Sequence, residues 1–356
     1  MKLRQIAVLI SAVVSLAMGT ESAAWGQYAL DYGFSIGPSN YLGDIGGAQT
    51  EARRFFPDMH LSQTKYHSSH VFVRYRVTAG LALKGQIGSV FIQDDDALTA
   101  YKNRQTRNAH FRNTIQEASL RAEVNFLSRP LITRYTSKNR ASLDMYAILG
   151  VTAFAHAPEA QMDSLAAFYW ADQGIVPSGF WSNEEDPWNT WYDLRTHRTE
   201  GVSYSRTALG IPIGLGASFM VNYRFRLGIE FVWNLTTTDY LDDVSTTWAN
   251  PNSISSNVGR VLSNPSSAET AARAGWSDPE GAMYHFQYQE GSPQIRGNPE
   301  RNDTYGTLQV SLSKVIMSSS NFRRANYFER QAKSKRSRPT RGDSDGRNMG
   351  RGRAKF

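Results

Sequence analysis

The sequence predicts an all-β fold: an eight-stranded antiparallel up-and-down barrel that crosses a membrane with its strands. Three observations predict it. Short segments alternate apolar and polar residues with period two. The polar face of those segments carries charges of both signs. The connections alternate between short and long, as in barrels with tight turns on one rim and extended loops on the other. The length of 356 residues fits one barrel as well as two or three soluble domains. With 40% hydrophobic and 20% charged residues, the chain is neither disordered nor a helical membrane bundle. The absence of cysteine excludes a disulfide scaffold, a zinc ribbon and a cysteine nucleophile. It leaves the compartment open.

Residues 1–26 read as a cleaved signal peptide. Lys2 and Arg4 precede an apolar run, Ile6 to Met18, and Ala24-Trp25-Gly26 has the small-x-small cleavage pattern. The run is too short for the ~20 residues of a spanning helix. No later window supplies ~18 uncharged apolar residues, so no transmembrane helix is expected. The barrel is expected over 27–317 and a separate tail over 318–356.

Eight strands follow. The cleanest is Arg224 to Asn234, with Phe225, Leu227, Ile229, Phe231 and Trp233 on one face and Arg224, Arg226, Gly228, Glu230 and Asn234 on the other. Val71, Val73, Tyr75 and Val77 oppose His70, Arg74 and Arg76. Leu81, Leu83, Ile87 and Phe91 oppose Lys84 and Gln86. Ala118, Leu120, Ala122, Val124 and Phe126 oppose Glu117, Arg121, Glu123 and Asn125. Leu308, Val310 and Leu312 oppose Thr307, Gln309, Ser311 and Ser313. Leu30 to Gly37, Leu143 to Ala153 and Leu209 to Phe219 complete the set. A soluble sandwich also alternates. A narrow barrel differs in needing its inward charges paired. The lumen network expected on that ground is Asp31, Arg74, Arg76, Lys84, Glu117, Arg121, Glu123, Asp144, Arg224, Arg226 and Glu230.

Short connections are Thr78-Ala79-Gly80 and Asn222-Tyr223, with a moderate one near Ser128 to Ser142. Long ones run from about Asp44 to Ser69, Gln93 to Asn113, His156 to Arg206 and Thr236 to Asp303. An even strand number puts both termini on the short-turn rim. The sixth strand is rich in inward glycine, and Gly214 or Gly216 is expected opposite Glu230, leaving room for long charged side chains. Pro212 cannot donate to a ladder, so a bulge is expected there.

Several segments resemble one family, the PorG-type outer-membrane barrels of the Bacteroidetes type IX secretion system. They are Ser39-Asn40-Tyr41-Leu42-Gly43-Asp44, Arg74-Tyr75-Arg76, Arg107 to Asn113 leading into Glu117, Phe154 to Ala160, and Thr199-Glu200-Gly201. Thr238 to Ser245, with Tyr240, Leu241, Asp242 and Asp243, is the most specific, and Gly297-Asn298-Pro299 with Asn302-Asp303 precedes the last strand. Together they cover roughly Tyr28 to Ile316. The resemblance implies an eight-stranded barrel in the outer membrane. It also implies contact with a periplasmic ring built from a lipoprotein and its partner, the PorK/PorN pair, and no enzymatic activity. The chain departs from that pattern in its length, with an aromatic insert between strands five and six and a long stretch from Asn250 to Gly291.

The tail holds twelve Lys or Arg against three acids, a net +9, while the whole chain is +7. Such a segment buries no core. Arg323, Arg324, Arg330, Lys333, Lys335, Arg336 and Arg338 are expected to dock on an acidic partner, most simply the secretion ring, or on anionic lipid headgroups. Nucleic acid is not an expected partner of an exported barrel. The insert Phe168 to Tyr192, with Trp170, Trp181, Trp188 and Trp191, is expected to pack on itself, with binding of sugars or proteins as the alternative. Asp94-Asp95-Asp96 lacks the ligand spacing of a calcium loop, and His67 and His70 lack a third zinc ligand. Asp44, Asp242 and Asp243 are expected to share a rim network with arginines. No spacing links Ser, His and Asp as a hydrolase would require. No cofactor, metal or catalytic residue is expected. A small porin and a surface-binding adhesin remain the alternatives to a secretion component.

Overall fold

The computed structural model describes residues 30–47, 63–78, 80–131, 141–221 and 224–316. The expected signal peptide and the basic tail with its docking residues lie outside them. Eight long strands form the wall: β1 (Leu30–Leu42), β2 (Lys65–Arg76), β3 (Leu81–Asp95), β4 (His110–Leu131), β5 (Ala141–Ala155), β8 (Thr207–Met220), β9 (Phe225–Thr236) and β10 (Thr304–Ile316). Two short strands, β6 (Pro158–Gln161) and β7 (Trp191–Asp193), intervene in sequence. The wall order is β3-β2-β1-β10-β9-β8-β5-β4, and β3 pairs with β4. That last pairing closes the cylinder and leaves the wall with no free edge.

Register fixes the shape. One circuit runs Leu30, Tyr75, Leu83, Ala122, Leu149, Ile213, Trp233, Gly306 and back to β1 at Asn40. The return is displaced from residue 30 to residue 40, a shear of ten. Ten residues of rise across eight strands tilts them by about 40°. An even shear also lets every strand keep one face in and one face out.

The outward side chains are apolar and exposed. Tyr32, Phe34, Ile36, Val71, Val73, Tyr75, Ile87, Leu120, Val151, Leu215, Ile229 and Val310 are among them. On β10 the outward row from Leu308 to Ile316 is apolar except for Lys314 near its short-rim end. Eight residues at that tilt cover about 20 Å, close to the ~25 Å band of an outer-membrane barrel. Among the described residues no helix is long and apolar enough to cross a membrane. Water would not tolerate this apolar cylinder, and lipid requires it.

Four connections leave one rim and three leave the other. The short rim includes the turn after β2, where Thr78 Oγ1 accepts from the N–H groups of Gly80 and Leu81. On the long rim the wall overshoots the apolar band, so β1, β3 and β4 run further than alternation foretold. Beyond the band the outward face meets water or other loops, so hydrophobicity no longer marks the strand. The upper end of β4 pairs with β6, and β6 with β7. These two strands were not foreseen, because four and three residues are too few to show a period.

The two largest loops fold together. Helices α1 (Lys102–Arg107), α2 (Ser164–Asp172), α3 (Leu194–His197), α4 (Asn257–Ser263), α5 (Ala268–Arg273) and α6 (Pro279–Ala282) sit in the loops. Trp170, Phe180, Leu194, Trp248, Val261 and Met283 belong to one buried cluster, with Trp181, Trp188 and Tyr192 packed against it. The aromatic insert therefore does pack on itself, and the second loop shares its core. Aspartate or serine caps start α2 to α6, as Asp163 does by accepting from Ala166 N, while α1 follows Tyr101 with no side-chain cap.

Two details correct the sequence reading. Pro212 causes no bulge. It pairs with Asn234, and the ladder toward β5 lapses only between Leu149↔Ile213 and Thr152↔Gly210, with the register unchanged. The missing donor is absorbed by a gap in one ladder. The true register shifts lie at Gly37/Ser39 and Asn125/Leu127. Arg224 does not enter the lumen either. It precedes β9 on the short rim and is exposed, and its carbonyl accepts from Val315 N.

Candidate functional site

The lumen is solid with paired charge. Apart from Arg224, every residue expected there points inward. Lys84, Arg121, Arg74 and Glu230 are at most 2% exposed, and only Arg76 keeps appreciable access. Toward the short rim, Asp31 accepts from Arg74 at 3.3 Å and Arg226 at 3.2 Å, and Arg76 reaches Asp144 at 3.1 Å. Arg74 continues to Glu123 at 2.7 Å and Glu230 at 3.1 Å. Lys84 Nζ donates to both Glu230 oxygens, at 2.8 and 2.6 Å. Higher up, Glu117 holds Arg121 at 3.4 Å and His70 at 2.8 Å, and Tyr305 donates to it.

Five cations (Arg74, Arg76, Lys84, Arg121, Arg226) thus meet five anions (Asp31, Glu117, Glu123, Asp144, Glu230), and the network is neutral. Burial without such pairing costs several kcal/mol per ion. Phe72 points inward among the charges, its ring 4.4 Å from Lys84 Nζ, which favours the buried ammonium. Gly216 does sit opposite Glu230, but the space it leaves is taken by Tyr146. A Cβ there would lie 2.5 Å from the Tyr146 ring, whose hydroxyl donates to Glu230 at 2.8 Å. Sequence reading missed Tyr146, Tyr305, His70 and Gln309 as network members. Their inward parity, shared with Asp144, Glu117 and Arg74, was the available signal.

Above the charges the mouth is plugged. Tyr41, Ile92, Phe111, Ile115, Phe154 and Leu241 form a buried apolar cluster drawn from four strands and the last long loop. The two motif segments, Asn40 to Asp44 and Tyr240 to Asp243, meet here across some 200 residues of sequence. Tyr41 Oη lies 2.7 Å from Asp242 Oδ2 and 2.6 Å from Asp303 Oδ1, and accepts from Asp44 N at 3.1 Å. Asn113 donates to the Leu241 carbonyl at 2.7 Å.

The hydrogen count at Tyr41 favours a proton held among these groups. A phenol has one hydrogen to donate, yet two carboxyl groups contact its oxygen, so one of them supplies its own proton. Asp242 already accepts from the N–H groups of Ile45 and Val244, both at 2.9 Å. Asp303 Oδ1 has only the phenol, while its Oδ2 accepts from Leu241 N. The short distances place the Tyr41 phenol between the two carboxyl groups, which share it. Burial, then the carboxyl groups of Asp242, Asp239 and Asp44, hold the Asp303 pKa well above the carboxylate range. Burial and Asp44 push Asp242 up to about 7. Burial likewise raises Asp243 to about 7, against the pull of Arg296, and Asp239 to about 8.

Gly43 explains itself in this setting. A Cβ on it would lie 1.9 Å from both the Tyr41 hydroxyl and Asp303 Oδ1. Only glycine lets the clasp close. Asp243 has φ of +69°, a left-handed conformation that aspartate tolerates better than most residues, and its carboxylate is held by Thr199 and Tyr204. Asn40 Nδ2 donates to Thr64 at 2.9 Å, Leu42 is buried, and Tyr240 stacks on Tyr204 with centroids 4.5 Å apart.

Of the expected rim network, Asp44 and Asp243 meet arginines through their backbone carbonyls, while the ion pairs of those arginines go to Asp96 and Glu200. Arg107 donates to Asp96 at 2.6 Å, the Asp44 carbonyl at 2.6 Å and the Arg296 carbonyl at 2.8 Å. Arg296 donates to Glu200 at 3.0 Å and the Asp243 carbonyl at 2.8 Å. Four loops are thereby stitched over the mouth. Asp95 caps a helical turn, Asp96 serves Arg107, His70 serves Glu117, and His67 is exposed. Among the described residues no three His, Asp or Glu side chains are grouped to hold a metal ion.

No protein-family model matches the chain, and no curated protein does. Solved structures do. Ail, the attachment invasion locus protein of Yersinia pestis, matches at 10% identity over 81% of this chain and 99% of its own, with a TM-score of 0.29. Neisserial surface protein A matches at 8% identity over 82% and 98%, with a TM-score of 0.31. The toluene transporter TodX of Pseudomonas putida matches at 11% identity over 64% and 51%, with a TM-score of 0.22. The likeness is one of barrel architecture. The closed wall, the apolar exterior and the ion-filled interior define the class: an outer-membrane β-barrel. It is a barrel with a sealed lumen and a folded cap on its long-loop rim.

Proposed function

We propose that this barrel is a non-enzymatic component of the type IX secretion system that anchors or aligns the periplasmic PorK/PorN-type ring at the outer membrane. The observation that carries it is the convergence of the family-like segments Asn40 to Asp44 and Tyr240 to Asp243 on one clasp that seals the mouth. Sequence segments that look separate in the chain act together in space. A sealed barrel suits an anchor, since its closed wall and its short-turn rim are what a ring would grip. The neutral ion network and the apolar plug speak against a conduit for polar solutes, the porin alternative. On this reading both termini lie in the periplasm, and the basic tail adds a second contact to the ring or to anionic headgroups.

Photocrosslinking in intact cells tests it, from Thr78 and Val221 on the short-turn rim and, in a separate strain, from the tail. Ring proteins are expected among the adducts from both positions. Adducts free of ring proteins, together with normal protein secretion after deletion of the gene, would overturn the assignment.

A further inference from the structure

The cap presents an aromatic face in an acid-rich segment, which Arg260 of the other loop touches only at the Ile175 carbonyl. Phe168 is 53% exposed although it sits on the same helix as the buried Trp170. Its ring meets Trp181 edge-on at 4.8 Å and lies 6.1 Å from Trp188, and the two indoles are 6.0 Å apart. Both indoles rest on the cap core, so the three rings form a fixed platform.

Residues 163–193 contain six carboxyl groups and no Lys, Arg or His. Three of the six have structural duties. Asp163 and Asp193 cap helices, and Asp186 accepts from Asn189. Asp172, Glu184 and Glu185 are exposed and make no ion pair with any described residue. The two large loops, 156–206 and 237–303, hold seventeen acids against seven Lys or Arg, while the lumen below is neutral.

We propose that this face binds a cationic polypeptide segment. Lys or Arg side chains would lie over the Phe168, Trp181 and Trp188 rings and be neutralised by Asp172, Glu184 and Glu185. Ring faces attract cations, and Arg stacks on indole. The same field repels polyanions. Complementarity of charge selects a basic protein segment over an uncharged glycan, which would have no use for three unpaired carboxylates. The inference is independent of the secretion assignment, because it concerns the opposite rim.

The test uses the full-length barrel in detergent micelles and a fluorescein-labelled hexa-arginine peptide, followed by anisotropy. Binding is expected to weaken about tenfold from about 50 to about 300 mM salt. Glu184→Gln with Glu185→Gln, and separately Trp188→Ala, are each expected to weaken it at least about fivefold, and Trp188→Phe to restore most of the loss. Glu269→Gln, elsewhere on the cap, is expected to leave it unchanged. Trypsin resistance of the cap distinguishes a lost surface from a lost fold. Equal binding by wild type and the two patch variants would overturn the proposal, as would uniform weakening by Glu269→Gln. Aromatic-dependent binding of chitohexaose with no binding of the peptide would overturn it in favour of a glycan.

Discussion

Replacing Glu230 with Gln tests whether the lumen is held by its ion pairs. Among the described residues Glu230 is the sole anion bonded to Lys84, at 2.6 and 2.8 Å, while Arg74 would keep Glu123 at 2.7 Å and Asp31 at 3.3 Å. The substitution keeps the shape of the side chain and strands one fully buried ammonium. Breaking a buried pair in this way costs about 3–5 kcal/mol. Lys84→Met added to Glu230→Gln removes the stranded charge, so the double variant is expected to recover more than half of the loss. Arg76→Gln serves as the control. Its partner contact is similar, at 3.1 Å, but its side chain is 20% exposed and Asp144 keeps a bond from Ser128 Oγ at 2.6 Å, so a smaller loss than for Glu230→Gln is expected. Urea titration of the folded barrel in detergent, read by heat-modifiable gel mobility, reports all three. A Glu230→Gln variant within about 1 kcal/mol of wild type would refute the reasoning. A double variant no better than the single would do the same, since both outcomes mean that water reaches Lys84.

Four further outcomes follow from the mouth, the cap and the lumen. Gly43→Ala is expected to open the clasp, because the added methyl overlaps Tyr41 and Asp303, and Tyr41→Phe is expected to cost about 1–3 kcal/mol while keeping the edge contact with Phe111; limited proteolysis of the loop rim reports both. Asp242, Asp243 and Asp303 have folded-state pKa values above the usual 3.8, so the folded clasp holds extra protons and loses stability as pH rises from there through about 7. Hydrogen exchange at Ile45, Leu241 and Val244, corrected for intrinsic rate, should accelerate over that window, and a flat profile would contradict it. Trp170→Ala removes a buried ring and its bond to the Asn264 carbonyl, so the cap is expected to lose about 3–5 kcal/mol and become protease-sensitive while gel mobility shows the barrel intact. Planar bilayers carrying the wild-type protein are expected to show no steady large conductance, and such currents would restore the porin alternative.

The wall was legible because lipid and lumen impose opposite demands on neighbouring residues. Ile229 faces lipid and Glu230 faces ions, and one residue of slip would exchange them. That constraint vanishes above the band, which is why β4 proved to reach up to His110 and why β6 and β7 passed unseen. Arg224 misled because parity says which way a residue would point, not whether the strand has begun. Phe72 and Val232 break the polar inner row, yet they fill the lumen beside Lys84 and Tyr146.

The candidate site was half legible. The motif residues Tyr41, Gly43, Asp242 and Asp243 stood out as segments, and a rim network of Asp44 with arginines was anticipated. Which arginine meets which acid was not, since Arg107 and Arg296 are separated by most of the chain.

Period-two patterning determined the eight wall strands and their inward charges, because each is enforced residue by residue along a single strand, and the alternation of short and long connections added the membrane setting. Shear, the meeting of Tyr41 with Asp242 and Asp303, the glycine that admits the clasp and the shared core of the two great loops were decided only by closure of the tertiary structure. They depend on distances between residues that are far apart in sequence, and no local pattern encodes such a distance.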